Sequence, residues 1–260
     1  MISIKTPEEI EKLKIGGRVL AEILQEAKRF TLDNYKKGGL TTKEIDDKIS
    51  FLLEQEKVKP SFLNYTPSAD RTPFSGNACI SVNEEIVHGV PSNKILKEED
   101  IVSVDLGVIY ENLYTDASIS FILGEGGEED NKLIEAAKKS LYEGIRQVRV
   151  GSRIGDIGNA IERKVKEYGF SVVKNYCGHG VGYDVHEDPS IPNYGEKGKG
   201  EEIREGMVFA LEPMVVAGSG KIVVGDDGWT VKTADGERSS HWEHSVVVTK
   251  DGPVILTEVE

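Results

Sequence analysis

Over its first sixty positions the chain places apolar residues with the period of an α-helix. Thr6-Pro-Glu-Glu9 reads as a capping box with proline in the first turn, and Leu13, Leu20 and Leu24 supply part of the apolar face that follows. A second helix opens at Thr41-Thr-Lys-Glu44 and gathers Ile45, Ile49, Leu52 and Leu53 into one stripe. Residues 129–148 and 153–168 repeat the arrangement, with Ile134, Leu141 and Ile145, then Ile154, Ile157, Ile161 and Val165. After each helix pair the pattern changes to β-branched apolar runs, at 100–109, 114–122, 207–213 and 240–249. Helix pairs followed by strands predict an α+β fold. Glu125-Gly126-Gly127 and residues 195–200 read as polar turns rather than linkers, so residues 1–260 are expected to form a single domain.

The two halves resemble each other. Glu98 to Asp105 lines up with Glu205 to Glu212 at an offset of 107, with apolar positions matched and an acid at each end. Gly39 to Ile45 aligns with Gly151 to Ile157 at an offset of 112. Spacings this long are foreign to solenoid repeats. They suggest two similar units, each delivering one acid to a common place.

Acids inside apolar strands raise a charge problem. Asp105 and Asp116 lie in runs joined by Tyr110-Glu111-Asn112-Leu113, short enough for a hairpin turn. A turn centred near Tyr110-Glu111 predicts that Asp105 stands directly across from Asp116, where like charges destabilise an antiparallel pair. Glu212 closes the run Met207–Pro213, and Glu243 sits in a strand-like run with Ser245 and Val247 on its face and His244 on the other. His179 lies in Cys177-Gly-His-Gly-Val-Gly182, where glycines on both sides permit close backbone approach, and His186 follows seven residues later. Four carboxylates and an imidazole brought to one pocket need compensating positive charge. A pair of divalent cations drawn from Mn, Co, Fe or Zn suits that donor set, and such a pair equips a peptidase to activate water and stabilise a tetrahedral intermediate.

In the order Asp105, Asp116, His179, Glu212, Glu243, the chain resembles the type I methionine aminopeptidases, of the pita-bread (creatinase/aminopeptidase) metallopeptidase family. The resemblance runs from the helix at Thr6-Pro7 to the strand at Val254–Thr257, and is most specific at 103–116, 176–189, 206–214 and 228–249. It implies two pseudo-symmetric halves around a curved antiparallel sheet with helices on the outer face. Asp105, Asp116 and Glu243 would serve one metal, and Asp116, His179, Glu212 and Glu243 the other. Glu212 would act as acid/base, and His88 and His186 would contact substrate and reaction intermediate. Tyr65, Phe74, Cys79 and Trp229 would form the pocket for the methionine side chain. The implied activity is removal of the initiator methionine from nascent polypeptides. The alternatives are an Xaa-Pro aminopeptidase or dipeptidase of the same fold, or a non-enzymatic binding protein.

Three positions depart from the family pattern. His241 stands where relatives often have glutamine, Val185 where a Phe or Leu commonly precedes the second histidine, and the loop 65–79 is a few residues longer than usual. None of the three is expected to touch a metal ligand. Composition then narrows the partners. A formal charge of −13 argues against a broad nucleic-acid or anionic-membrane surface, and no apolar run approaches membrane-spanning length. The N-terminal stretch lacks the basic and apolar regions of a signal peptide. Two cysteines without CxxC spacing fit free thiols in a reducing cytoplasm. The expectation is a cytoplasmic monomer acting on nascent N-termini, with transient ribosome association.

Overall fold

The structure, a computed structural model, describes residues 2–67 and 72–259. The first half comprises α1 (Pro7–Asn34), a 3-10 turn at Tyr35–Lys37, α2 (Thr42–Glu56), β1 (Lys59–Pro60), β2 (Cys79–Val82), β3 (Glu85–Val87), β4 (Ile101–Tyr110) and β5 (Leu113–Ile122). The second comprises α3 (Glu128–Ile145), α4 (Ile154–Glu167), β6 (Ser171–Val172), β7 (Cys177–Gly180), β8 (Glu187–Pro192), β9 (Val208–Leu211) and β10 (Met214–Val216). It continues through β11 (Ile222–Val224), β12 (Val231–Thr233), β13 (Ser239–His241), β14 (Glu243–Thr249) and β15 (Gly252–Ile255).

Both expected capping boxes form. Thr6 Oγ1 accepts from the Glu9 amide while the Glu9 carboxylate accepts from the Thr6 amide at 2.8 Å, and Thr41 and Glu44 repeat the exchange. Each box satisfies orphan amides of a first turn. α3 has no side-chain cap, but Glu128, Glu129 and Asp130 crowd its first turn and oppose the positive end of its dipole.

The main sheet runs β1-β4-β5-β14-β9-β7-β8, with β2 on β4 and β15 on β14. Its pairings are antiparallel. β5 covers only Glu243 and His244 of one edge of β14, and β15 takes Val246–Thr249 of the same edge. The centre of the order, β4-β5-β14-β9, joins the two halves. α2 and α4 start at 42 and 154, and β4 and β9 start at 101 and 208, reproducing the offsets of 112 and 107 seen in the sequence. One core cluster packs α1 and α2 against β2, β4 and β5, and another packs α3 and α4 against β9 and β14, with Trp242 touching both. Each fully buried Leu or Ile in these layers contributes about 1.5–3 kcal/mol.

Two expectations need correction. The β4–β5 turn is the two-residue Glu111-Asn112, both with positive φ (47° and 66°), and Tyr110 pairs with Leu113. Positive φ at both positions gives a turn whose twist matches that of the strands. The register therefore sets Asp105 opposite Ser118 and Asp116 opposite Gly107, so the aspartates are diagonal rather than directly opposed. The displacement is by two residues, which keeps both on one face; a slip of one would have separated them. The run 240–249 is also not one strand. It breaks at Trp242, where the chain leaves the β13-β10-β6 sheet and enters the main one.

Candidate metal centre

The central strands deliver all five acid and imidazole donors to one wall. Asp105 lies within β4, Asp116 within β5, His179 within β7, Glu243 begins β14, and Glu212 stands one residue beyond β9. Donor atoms of Asp116, His179 and Glu243 all lie within 4.8 Å of one another. Asp105 and Asp116 lie close enough for each carboxyl to shift the other's pKa, and Glu212 Oε1 is 3.5 Å from His179 Nε2. The glycines beside His179 are required by the packing. A Cβ on Gly178 would sit 2.4 Å from the Ala210 carbonyl oxygen, and one on Gly180 would sit 2.2 Å from that of Asp188.

Electrostatics makes the cluster costly as it stands. Burial, and then the charges of its neighbours, pushes Asp105 and Glu243 well above the usual carboxylate range. Glu212 rises by burial and the charge of Asp116. Asp116 is raised to about 7, chiefly by burial, against hydrogen bonds from the Ala117 amide and Asp105 that lower it. His179 is pushed down to about 3 by burial and by neighbouring His186, so its ring is neutral near pH 7. Its Nδ1 lies 2.9 Å from the Gly180 carbonyl oxygen, an acceptor, which places the proton there and leaves a lone pair on Nε2. That lone pair faces a carboxylate oxygen. Asp105 Oδ1, Asp116 Oδ1 and Glu243 Oε1 are also buried without a hydrogen-bond partner. A cation answers both defects, and this oxygen-rich set with one imidazole fits a divalent metal.

The donors form the floor of a cavity of about 750 Å³. His88, His186, Tyr65, Phe74, Cys79 and Trp229 line it as well. His186 stands at the mouth, its Nδ1 3.0 Å from the Tyr65 hydroxyl and its ring 4.5 Å from that of His179. Desolvation in the recess lowers its pKa, while Asp184 opposes the shift. His88 adopts a left-handed backbone (φ 59°), rare outside glycine, and its ring meets Tyr176 and Trp229 edge-on at 5.5 and 6.3 Å. Phe74, Cys79, Val185 and Phe62 form an apolar cluster against which Tyr65 and Trp229 pack. Cys79 pairs with Asp105 across β2 and β4, and burial raises its thiol far above the ordinary range. Both cysteines are free. Of the long loop 65–79, residues 68–71 lie outside the described residues.

Comparison with known proteins identifies the family. The pattern of "Metallopeptidase family M24" matches residues 11–250. The chain belongs to metallopeptidase family M24. Within this family it is 40% identical over 259 residues to methionine aminopeptidase 1 of Bacillus subtilis, covering all of both chains. The crystal structure of methionine aminopeptidase from Thermotoga maritima superposes with a TM-score of 0.93 at 41% identity, again over the whole of both chains. The prolidase of Pyrococcus horikoshii shares the fold alone, with a TM-score of 0.70 at 22% identity, and this chain spans 64% of it. The α+β architecture is thus the pita-bread fold of the M24 peptidases, whose chemistry depends on divalent metal.

Several residues around this donor cluster carry no signal in the sequence. The Ser245 hydroxyl donates to the Asp116 carbonyl at 2.8 Å and accepts from the Asp116 amide at 2.9 Å, clamping β14 to β5. Asn193 Nδ2 donates to the Glu212 carbonyl at 2.9 Å. Buried Asp46, on α2, accepts from the amides of Asn77 and Ala78 at 2.8 and 2.9 Å, so it holds the segment that leads from Phe74 into Cys79. One expectation about the departures is overturned. His241 does touch metal-site carboxylates, with Nε2 3.5 Å from Glu212 Oε2 and 4.0 Å from Glu243 Oε2. The backbone break at Trp242 turns it into the site.

Proposed function

We propose that this chain removes the N-terminal methionine from nascent polypeptides by hydrolysing their first peptide bond. The five donors Asp105, Asp116, His179, Glu212 and Glu243 would hold two divalent cations, of Co, Mn, Fe or Zn. The observation that carries the reading is one cavity lined both by the five donors and by an aromatic and thiol recess. Relatives of the same length bear the name methionine aminopeptidase, whereas prolidases of the same fold are longer.

Bound cations supply Lewis acidity and lower the pKa of a water molecule. Glu212, which lines the cavity beside His179, would be the group to take a proton from water activated there. His186, anchored by Tyr65, donates to the developing oxyanion. His88 assists the scissile nitrogen as it departs. Tyr65, Phe74, Cys79 and Trp229 take up the methionine side chain, since a thioether packs well against aromatic rings and sulfur. The reading extends to residues 1–260 as one catalytic domain, acting as a cytoplasmic monomer on chains emerging from the ribosome.

Metal analysis of the native protein combined with a peptide panel tests the proposal. Met-Ala-Ser is expected to lose methionine in a reaction abolished by chelation and restored by divalent cation. Preferential cleavage of Ala-Pro peptides would assign the chain to the prolidase-type activity instead, and failure to bind metal would make it a binding protein.

A further inference from the structure

His241 has a buried donor with nothing to bond to. The residue is 1% exposed, and its Nε2 has no hydrogen-bond partner. Its backbone is held firmly. The amide donates to Ser120 Oγ at 3.0 Å, and its carbonyl accepts from the hydroxyls of Ser118 and Ser120 at 3.3 and 2.8 Å. Across the β13–β10 pair it faces Met214, which is fully buried. An apolar side chain would fill such a site without penalty, whereas a buried polar atom left unpaired costs about 1–3 kcal/mol. The ring therefore has a use beyond packing.

Its neighbours indicate which one. Nε2 lies 3.5 Å from Glu212 Oε2 and 4.0 Å from Glu243 Oε2, while the other oxygen of Glu212, Oε1, faces His179 Nε2 at 3.5 Å. The Glu212 carboxylate is thus flanked by two imidazoles. His179 has its proton on Nδ1, toward the Gly180 carbonyl, so it offers Glu212 no donor. A lone pair on His241 Nε2 would face two carboxylate oxygens, and an N–H there meets acceptors instead. A contact of 3.5 Å is long for a hydrogen bond, and a small rotation of the carboxylate closes it, as such bonds commonly tighten in the loaded state.

We propose that His241 is a positioning residue whose Nε2–H donates to Glu212 Oε2, holding that carboxylate in one orientation with Oε1 turned toward the cation site beside His179. The proposal rests on the five donors forming a metal centre. Outer partners of this kind fix the geometry of a metal ligand, and losing one typically costs about 10–100-fold in metal affinity. Glutamine at this position would also offer an N–H donor.

The test is cobalt(II) titration of metal-stripped wild type, His241→Gln and His241→Leu, read by calorimetry and by the visible absorption of the bound ion, with circular dichroism as a check on folding. His241→Leu is expected to bind the Glu212-dependent cation about 10–100-fold more weakly and to alter its spectrum, and His241→Gln to recover most of the affinity and the wild-type spectrum. If His241→Leu does not fold, His241→Met, flexible enough to fill the same space, carries the comparison. Wild-type affinity and spectrum in a folded Leu or Met variant would overturn the positioning role. Equal weakening in the Gln variant, with the same spectral change as in the Leu variant, would overturn it in favour of direct ligation by the imidazole. Wild-type protein that binds no cobalt would instead sink the metal reading on which the proposal rests.

Discussion

Replacing Asp116 with asparagine isolates the electrostatic cost of the metal centre. The carboxyl is buried, lacks a partner for Oδ1, and is raised from 3.8 to about 7. In metal-stripped protein the unfolded chain loses this proton near pH 4 while the folded protein keeps it until about pH 7. At this carboxyl the folded state therefore binds more protons across that window, so its contribution to stability falls as pH rises through it and levels off above. A rise from 3.8 to about 7, at about 1.4 kcal/mol per decade, corresponds to about 4 kcal/mol. That is large beside the roughly 5–15 kcal/mol that separates folded from unfolded domains. Asp105, Glu212 and Glu243 are shifted in the same direction and steepen the slope. The amide of the Asp116→Asn variant cannot ionise. That variant, stripped of metal, is expected to match stripped wild type near pH 4, to exceed its stability by about 4 kcal/mol at pH 8, and to show a shallower pH slope between. Urea unfolding of chelator-treated proteins at pH 4, 5, 6, 7 and 8 measures this directly. The buried His179, His241 and His244, all lowered in pKa, act in the opposite sense in both proteins. The difference between variant and wild type is therefore the diagnostic quantity, and a difference that stays constant from pH 4 to pH 8 would refute the argument. Metal should reverse the trend, because binding expels the same protons and tightens as pH rises.

Glu243→Ala should abolish both activity and metal content, since it removes a donor whose partners are Asp116 and His179; full activity in a variant shown to be metal-free would exclude the dinuclear mechanism. His186→Ala should lower kcat by about 10²–10³ with metal content unchanged, the usual cost of losing one transition-state donor. His244→Ala should leave turnover close to wild type, because that ring bonds Thr257 and packs on Tyr142 behind the sheet, and equal losses in the two variants would contradict the strand alternation. Phe74→Ala should relax discrimination among peptides beginning with Met, Leu and Phe by about 1–3 kcal/mol in kcat/KM while metals are retained. An unchanged ratio would place the methionine pocket away from the Phe74–Trp229 contact at 5.4 Å.

Features set within a few residues of one another were legible in the chain alone. The Thr6–Glu9 and Thr41–Glu44 boxes form as written because a cap needs only its own first turn, and the helical stripes pack inward because a period of 3.6 selects a face wherever the helix lies. Strand alternation likewise separated Glu243 from His244, and the doubled offsets of 107 and 112 reappeared as paired elements. No single motif marked the five donors; their order along the chain, and the family resemblance that order carries, allowed them to be named together. Register was another matter. It depended on whether the β4–β5 turn centred on Glu111-Asn112, a choice between backbone conformations that side-chain pattern hardly distinguishes, and it changed which residue faces Asp105. Contacts made across the sheet were beyond reach of any local rule: Ser245 on Asp116 spans 129 residues, and Asp46 on Ala78 spans 32. His241 shows the division most sharply. Its identity as a departure was visible in the sequence, but its burial and its approach to Glu212 follow from the break at Trp242 and the grip of Ser118 and Ser120. A charge's energy is set by what surrounds it in space, and only tertiary packing decides those surroundings.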